Sequence, residues 1–498
     1  MADIIYADQQ HVIRQVEEHF RRANEFHAAG AIKESIIELK EALRLMPDSP
    51  EAHFNFANVL RDGGQLDLAV EGFIVAINNA RRMGRAYPDA LINLGDVLSK
   101  QKKYDHAIEA FTDGIAADPM RAESHIGLGL VHYEKGDHRE ALRSFRRAAI
   151  LKPGDPHVMN NIALAEYRLG DPEASLETYA EALEADPDYA EGHTHRGLML
   201  MLLGRYEEGL AEYEWRWKTA FFKGMNVSFA RPHWQGEDLT GKTVLVYTEQ
   251  GYGDTLQFAR YLPLLKERAA RVILMTEPPL LRLMESLPGI EILPPEVAES
   301  AEKRPDHDYV ISLMSLPHRF GTTLKTIPAA VPYLAPAPGL VELWRSRLQG
   351  IEGLRVGVCW AGRPEHKFDR DRSMVLADLA PLNAIPGVSL ISLQQGPRAE
   401  EPGAALTRFG AFTDFAETAA AMENLDLVLA VDTAVCHLAG ALGKPVWLML
   451  HAVAEWRWGM SGETTPWYPT MRLWRQQEPG DWRDLVARIA REIKRLSS

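Results

Sequence analysis

The stretch AESHIGLGLVHYEKGDHREALRSFRRAAILKPGD (122–155) carries the pattern that decides the first part of the chain. Gly129 is small; twelve positions on comes Ala141, also small; four further on comes Phe145, large and apolar; Pro153 closes the unit. Working outward, the same register returns. Small residues recur at Ala23, Ala57, Gly95, Gly129, Ala163 and Gly197, at spacings of 34, 38, 34, 34 and 34. The second set is Ser35, Ala69, Ala107, Ala141, Ser175 and Gly209, and the third is Leu39, Phe73, Phe111, Phe145, Tyr179 and Tyr213. Pro47, Pro119, Pro153 and Pro187 close four of the units. Small residues let two antiparallel helices cross closely, a bulky one acts as the wedge, and proline stops the second helix. The spacing predicts six helix–turn–helix units from about 19 to 217, preceded by a lead-in helix over 1–15. The longer gap places a four-residue insertion near Asn78–Arg85, whose Arg81, Arg82 and Arg85 read as a solvated loop.

This pattern resembles a tetratricopeptide array, which implies a helical solenoid over 1–219 that holds a protein or peptide on its concave face. Any chemistry is then expected after the array. Composition agrees with a change there: all eleven tryptophans lie at or after Trp215. A net charge of −14 argues against a nucleic-acid binder, which needs basic faces to displace counterions. The first twenty residues lack a basic stretch followed by an apolar core, and no run of 18 apolar residues occurs. No signal peptide and no transmembrane segment are expected, so the expectation is a cytoplasmic protein. Cys359 and Cys436, both inside apolar runs, read as buried free thiols.

From Thr243 the period becomes strand-like. TVLVYTEQ (243–250) leads into the Gly-rich turn GYGD (251–254) and the amphipathic stretch TLQFARYLPLLKER. VILMTEP (272–278) and DYVISLMSL (308–316) read as further strands, with a helix at LLRLMESL between them. VPYLAPAPG (331–339) is a proline-rich linker, after which RVGVCWAG (355–362), VSLISLQ (388–394), LDLVLAVD (425–432) and KPVWLML (444–450) restart the alternation. An amphipathic helix closes the chain. Alternating strands and helices predict parallel sheets covered on both faces, in two halves at 220–338 and 339–498, with ligands at the carboxyl ends of the strands.

The motifs EQGYGDTLQFARYLPLL (249–265), FGTTLKTIPAAVPYL (320–334), WAGRPEHKFDRDRS (360–373), SLQQG (392–396), VDTAVCHLAGALGKPVW (431–447) and WYPTMRLWRQ (467–476) occur in order. Together they resemble the glycosyltransferase half of bacterial tetratricopeptide–glycosyltransferase proteins. That resemblance implies two Rossmann-like halves of the GT-B fold, similar to heptosyltransferases and more distantly to protein O-GlcNAc transferase. It implies a nucleotide-sugar co-substrate, no other cofactor, and an inverting transfer to a protein acceptor. Flagellin or another surface protein is the acceptor that the analogy suggests.

Carried onto this sequence, the resemblance puts Asp432, Thr433 and His437 in the donor site. Thr433 and Ala434 would open a helix whose free N–H groups can seat a phosphate. The basic loop holds Gly362, Lys367 and Arg372, of which Lys367 and Arg372 are the first choices for neutralising the leaving group. Gln394 could read the base or sugar. Asp254 occupies the position of the proposed catalytic base, with Glu249 as runner-up. Gly251 and Gly253 would let the backbone approach a ligand. Asp254 reads alternatively as a plain helix cap, and for Asp432 capping is compatible with donor contact. Two D-x-D pairs, Asp306–Asp308 and Asp369–Asp371, read as chance, and no metal is expected. The relatives carry proline and aspartate before WRW; this chain has HAVAEWRW (451–458), so His451, Glu455 and Trp456 mark a loop bordering the donor or acceptor. Two other readings remain: a non-catalytic interaction scaffold with a degenerate transferase fold, and a transferase acting on lipid or saccharide.

Overall fold

The computed structural model describes residues 2–225, 229, 231–299, 305–366, 369–453 and 455–496. Twelve helices pair in sequence: α1 (Ala2–Ala28), α2 (Ile32–Leu45), α3 (Pro50–Asp62), α4 (Leu66–Arg82), α5 (Pro88–Lys100), α6 (Tyr104–Ala117), α7 (Ala122–Lys135), α8 (His138–Leu151), α9 (Pro156–Arg168), α10 (Pro172–Ala185), α11 (Ala190–Leu202) and α12 (Tyr206–Tyr213). The small residues do what the pattern requires. A Cβ on Gly129 would stand 2.5 Å from the Phe145 ring, and one on Gly95 2.7 Å from Phe111. In the first pair Ser35 Oγ donates to the Ala23 carbonyl at 2.8 Å.

Two details differ from expectation. No break separates a lead-in helix from the first repeat: α1 runs through both. The insertion does not loop out; α4 absorbs it and reaches 17 residues where α6 and α8 have 14. The chain then turns at Gly84, whose φ of 70° suits glycine.

The molecule forms two compact units, Met1–Gly192 and His193–Ser498. The division falls in the first turn of α11, so most of the sixth helix pair is counted with the second unit. The reason lies inside the second unit, where Tyr206 of α12 accepts from Trp467 Nε1 at 3.1 Å and Arg216 is buried among residues of the first sheet.

That unit contains two parallel sheets. The first has β1 (Thr243–Tyr247), β2 (Arg271–Met275), β3 (Ile290–Leu293) and β4 (Tyr309–Ser312) in the order β3-β2-β1-β4. The second has β5 (Leu354–Cys359), β6 (Val388–Ser392), β7 (Leu427–Val431), β8 (Val446–Leu450) and β9 (Met471–Arg475) in the order β6-β5-β7-β8-β9. Helices cover the strands, so β7 and β8 are buried along their whole length and read as unbroken apolar runs. Val356, Leu429 and Met449 pack with Ile489 and Ile493 of the closing helix Trp482–Leu496.

Several elements are shorter than their apolar runs. β4 stops at Ser312, whose hydroxyl accepts from Met314 N and starts a 3₁₀ turn. The stretch after GYGD breaks into Tyr252–Phe258 and Leu262–Arg268, with Pro263 opening the second piece. The helix at LLRLMESL is only Leu281–Met284. The strand β9 was not anticipated; in MRLWR the arginines interrupt the apolar run. Pro338 begins the helix Pro338–Arg347, so the linker ends there. Among the described residues, no helix is long and apolar enough to cross a membrane.

Candidate functional site

Each strand order reverses direction once, between β1 and β4 and between β5 and β7, and such switch points open crevices at the strand ends. The loops leaving β1, β5 and β7 carry most of the residues singled out in the sequence. Helix Tyr252–Phe258 follows β1, helix Ala434–Ala441 follows β7, and the two lie directly against each other. A Cβ on Gly253 would stand 3.0 Å from His437 Cδ2 and 3.5 Å from Ala434 Cα. Gly253 thus serves a helix-to-helix contact rather than a ligand's approach.

Asp254 is the third residue of its helix and accepts from Gly251 N at 3.0 Å, which is the capping geometry. Its other oxygen is held by Arg457. Asp432 does not cap its helix: Thr433 is the N-cap residue and no side chain caps there. Asp432 Oδ2 instead accepts from Trp458 Nε1 at 2.8 Å, and Oδ1 lies 3.9 Å from His437 Nε2. His437 bonds Tyr468 through Nδ1 at 2.9 Å and stacks on Trp458. Burial, followed by Arg457, Arg260 and Arg372, holds its pKa well below the ordinary value. Burial raises Asp432, against the Trp458 N–H and the guanidiniums of Arg457 and Arg372.

The residues that tie the site together are ones the sequence reading passed over. Arg457 is buried and donates to Asp254, Glu455 and Gln257. Arg457 and Trp458 therefore occupy the space between Asp254 and Asp432 and connect the two sheets' switch points. Their signal was the WRW triplet after a fully apolar strand. Glu455 carries the third carboxylate; burial lifts it to about 7, with Asp432 and Asp254 adding to the shift and Arg457 opposing it.

On the β5 side, Gly362 N donates to Ser373 Oγ at 2.9 Å, and a Cβ on Gly362 would stand 2.4 Å from Asp369 Oδ1 and 2.6 Å from Arg372 Nη2. Arg372 therefore lies across the glycine, partly open to solvent. Arg363 stacks on the ring of Tyr252, 4.8 Å from its centre. Lys367 lies outside the described residues. Thr433, Ala434 and Val435 are partly exposed, so solvent reaches this helix start.

Three candidates have other tasks. Gln394 accepts from Trp360 N and Ala361 N and donates to Ala361 O and Gln395 O, which uses its whole amide to hold the loop. Glu249 is buried in an ion pair with Arg216 at 3.1 Å and also accepts from Ser312, so it faces no open cleft. Burial raises its carboxyl, with Arg216 and Ser312 opposing. Trp456 packs against Tyr206, Trp467 and Phe258 and is core rather than cleft wall. His451 follows β8, half-buried.

Among the described residues, Asp432, Cys436 and His437 bring ligand-type atoms within 4.8 Å. The nearby guanidiniums of Arg372 and Arg457 oppose a cation there, and the Cys436 thiol already donates to Thr433 O at 2.9 Å. Both cysteines are buried and free. Of the D-x-D pairs, Asp308 accepts from Thr243 N and Asp369 from Ser373 Oγ.

The chain carries an N-terminal array of tetratricopeptide-type helix pairs followed by an α/β region of two parallel sheets. The tetratricopeptide repeat family matches residues 92–156 and 160–218. The chain is 27% identical over 411 residues to protein FlbA of Caulobacter vibrioides, covering 76% of this chain and 68% of FlbA. It is 29% identical over 106 residues to protein O-mannosyl-transferase TMTC1 of Mus musculus, a match covering 20% of this chain and 11% of that protein. Among solved structures, PilF of Pseudomonas aeruginosa aligns at a TM-score of 0.37 and 19% identity, covering 43% of this chain and 97% of PilF. MamA protein aligns at 0.32 and 21%, covering 36% and 94%.

Proposed function

We propose that the protein is a glycosyltransferase of GT-B type that moves a sugar from a nucleotide-sugar donor to a protein acceptor held by its repeat array. The observation that carries this reading is the meeting of two switch points: the helix after β1, which carries Asp254, packs against the Thr433–Ala434 helix start after β7, and Arg372 acts on Asp432 beside that start. The uncapped helix start and Arg372 would take the donor's phosphates, and the arginine would neutralise the leaving group. Neutral His437 and Asp432 would border the sugar. One carboxylate of the site would take the proton of the attacking hydroxyl. Six repeats suit a protein acceptor better than a lipid or free saccharide; flagellin or another surface protein remains the acceptor suggested by analogy.

One observation favours a second reading. Arg457 and Trp458 bridge the two acids, which would suit a scaffold whose cleft no longer opens. Melting in the presence of UDP-, GDP-, ADP- and CMP-sugars separates the two. A donor that binds the folded chain raises Tm, by about 2.7 kcal/mol of added stability at a hundredfold excess over Kd. Should none of them move the transition at millimolar concentration, the transferase reading fails and the scaffold stands.

A further inference from the structure

The loop leaving β8 delivers a carboxylate that the resemblance did not assign. Glu455 Oε1 is held by Arg457, whereas Oε2 is enclosed and has no hydrogen-bond partner among the described residues. Among the described neighbouring acids only Glu249 shares an unpartnered Oε2, and that residue is closed off from solvent. Asp254 has one oxygen on Arg457 and the other on Gly251 N. Asp432 accepts from Trp458, and Glu249 is sealed with 1% of its side chain exposed. Glu455 keeps 37% of its side chain open to solvent, so only its carboxyl end is tucked in. Rotation about the last side-chain torsion, a soft one in glutamate, would bring Oε2 out.

We propose that Glu455 takes the acceptor's proton, with Arg457 holding it and Asp254 holding Arg457 as positioning residues, an inference resting on the transfer reading above. The acceptor oxygen bonds to the anomeric carbon as the bond from that carbon to the phosphate oxygen breaks. The electron pair leaves with the phosphate, towards Arg372 and the Thr433–Ala434 helix start. The hydroxyl proton passes to Glu455. The charged and titratable groups facing Glu455 are Arg457 on its own loop, Asp254 on the helix after β1, Asp432 at the end of β7, and Tyr206 on α12. A carboxyl raised to about 7 in that company is matched to proton transfer at neutral pH.

The test uses the full chain and follows nucleotide release from UDP-, GDP-, ADP- and CMP-sugars, with water as the acceptor. For the unaltered protein, kcat should rise with pH through about 7. Glu455→Gln should lower kcat about 100-fold or more, remove that limb, and keep the donor-dependent Tm rise; Glu455→Asp should recover part of the rate. Asp254→Asn should lower the rate yet keep a limb. A Glu455→Gln rate within about threefold of the unaltered chain, or loss of the limb in Asp254→Asn alone, overturns the proposal while transfer itself stands. If no sugar nucleotide is cleaved or bound, the transfer reading falls and takes this inference with it. If Glu455→Gln does not fold, the unaltered chain decides: a limb near 7 supports the proposal, and a flat profile from about pH 5 to 9 overturns it.

Discussion

Two arginines in the second unit hold carboxylates in opposite ways. Arg216 and Glu249 are sealed, with 0% and 1% of their side chains exposed, and Ser312 and Ser315 supply further partners. Arg457 gathers Asp254 and Glu455, whose side chains are 22% and 37% exposed, with Asp432 close by. The first cluster locks the turn after α12 onto the ends of β1 and β4. The second leaves its acids partly exposed beside a helix start that solvent reaches. Arg216 is shared between Glu249 and Glu214, and Arg319 lies 3.6 Å from Glu214, so two guanidiniums match two carboxylates and the cluster behaves as structure; Arg457 is shared by acids that are more exposed, which leaves one of them able to change protonation.

The sharpest way to break this contrast is to remove the sealed arginine. Arg216→Met leaves Glu249 buried without its counter-ion and should cost about 3–5 kcal/mol in urea unfolding. Adding Glu249→Gln removes the stranded charge and should restore part of the loss. A cost under about 1 kcal/mol for the single change would make the Arg216 cluster no more structural than a surface pair.

How much of this could be read beforehand follows from what each feature depends on. The repeats were legible because helix crossing demands small residues at a fixed register, and Gly95 and Gly129 against Phe111 and Phe145 are a local consequence of it. The parallel strands were legible as apolar runs, apart from β9, where arginines break the run. The loops at the strand ends were legible too, so Asp254, Arg372, Asp432 and His437 do come together. Their partners were not, because Arg457 and Asp254 are 203 residues apart and only the fold brings them within reach. Glu249 misled for the same reason: its partner Arg216 lies upstream, in a turn that read as the end of the array.

A smaller effect separates stability from ligand binding on the β5 side. Gly362→Ala places a methyl where Arg372 and Asp369 now lie, at 2.4–2.6 Å. The partly exposed arginine can swing away, but the buried Asp369 carboxylate held by Ser373 must shift as well, so the change should cost about 1–3 kcal/mol in unfolding free energy. On the proposed donor role of Arg372, the donor-dependent Tm rise should shrink or vanish once its guanidinium is displaced. An unchanged rise would remove Arg372 from the donor seat.

The finest distinction between the two clusters lies in the pH dependence of stability. Glu455 has a folded pKa of about 7 against an ordinary value of 4.5. A folded pKa raised above the unfolded one means that the folded chain binds the extra proton between those values. Its contribution is therefore fully present below about 4.5 and is lost as pH rises to 7. His437, held low by burial, has the opposite sign: its contribution is complete above its unfolded value and is lost as pH falls below about 6.5. Comparing Glu455→Gln with the unaltered chain cancels the histidine and isolates the glutamate, apart from its influence on Asp254 and Asp432. Unfolding free energies measured at pH 5 and pH 8 should show the variant gaining on the unaltered chain as pH rises, since the amide carries no charge to strand. A gap that stays constant across that window would mean Glu455 ionises as an ordinary surface acid, and the second cluster would then hold nothing poised near neutrality.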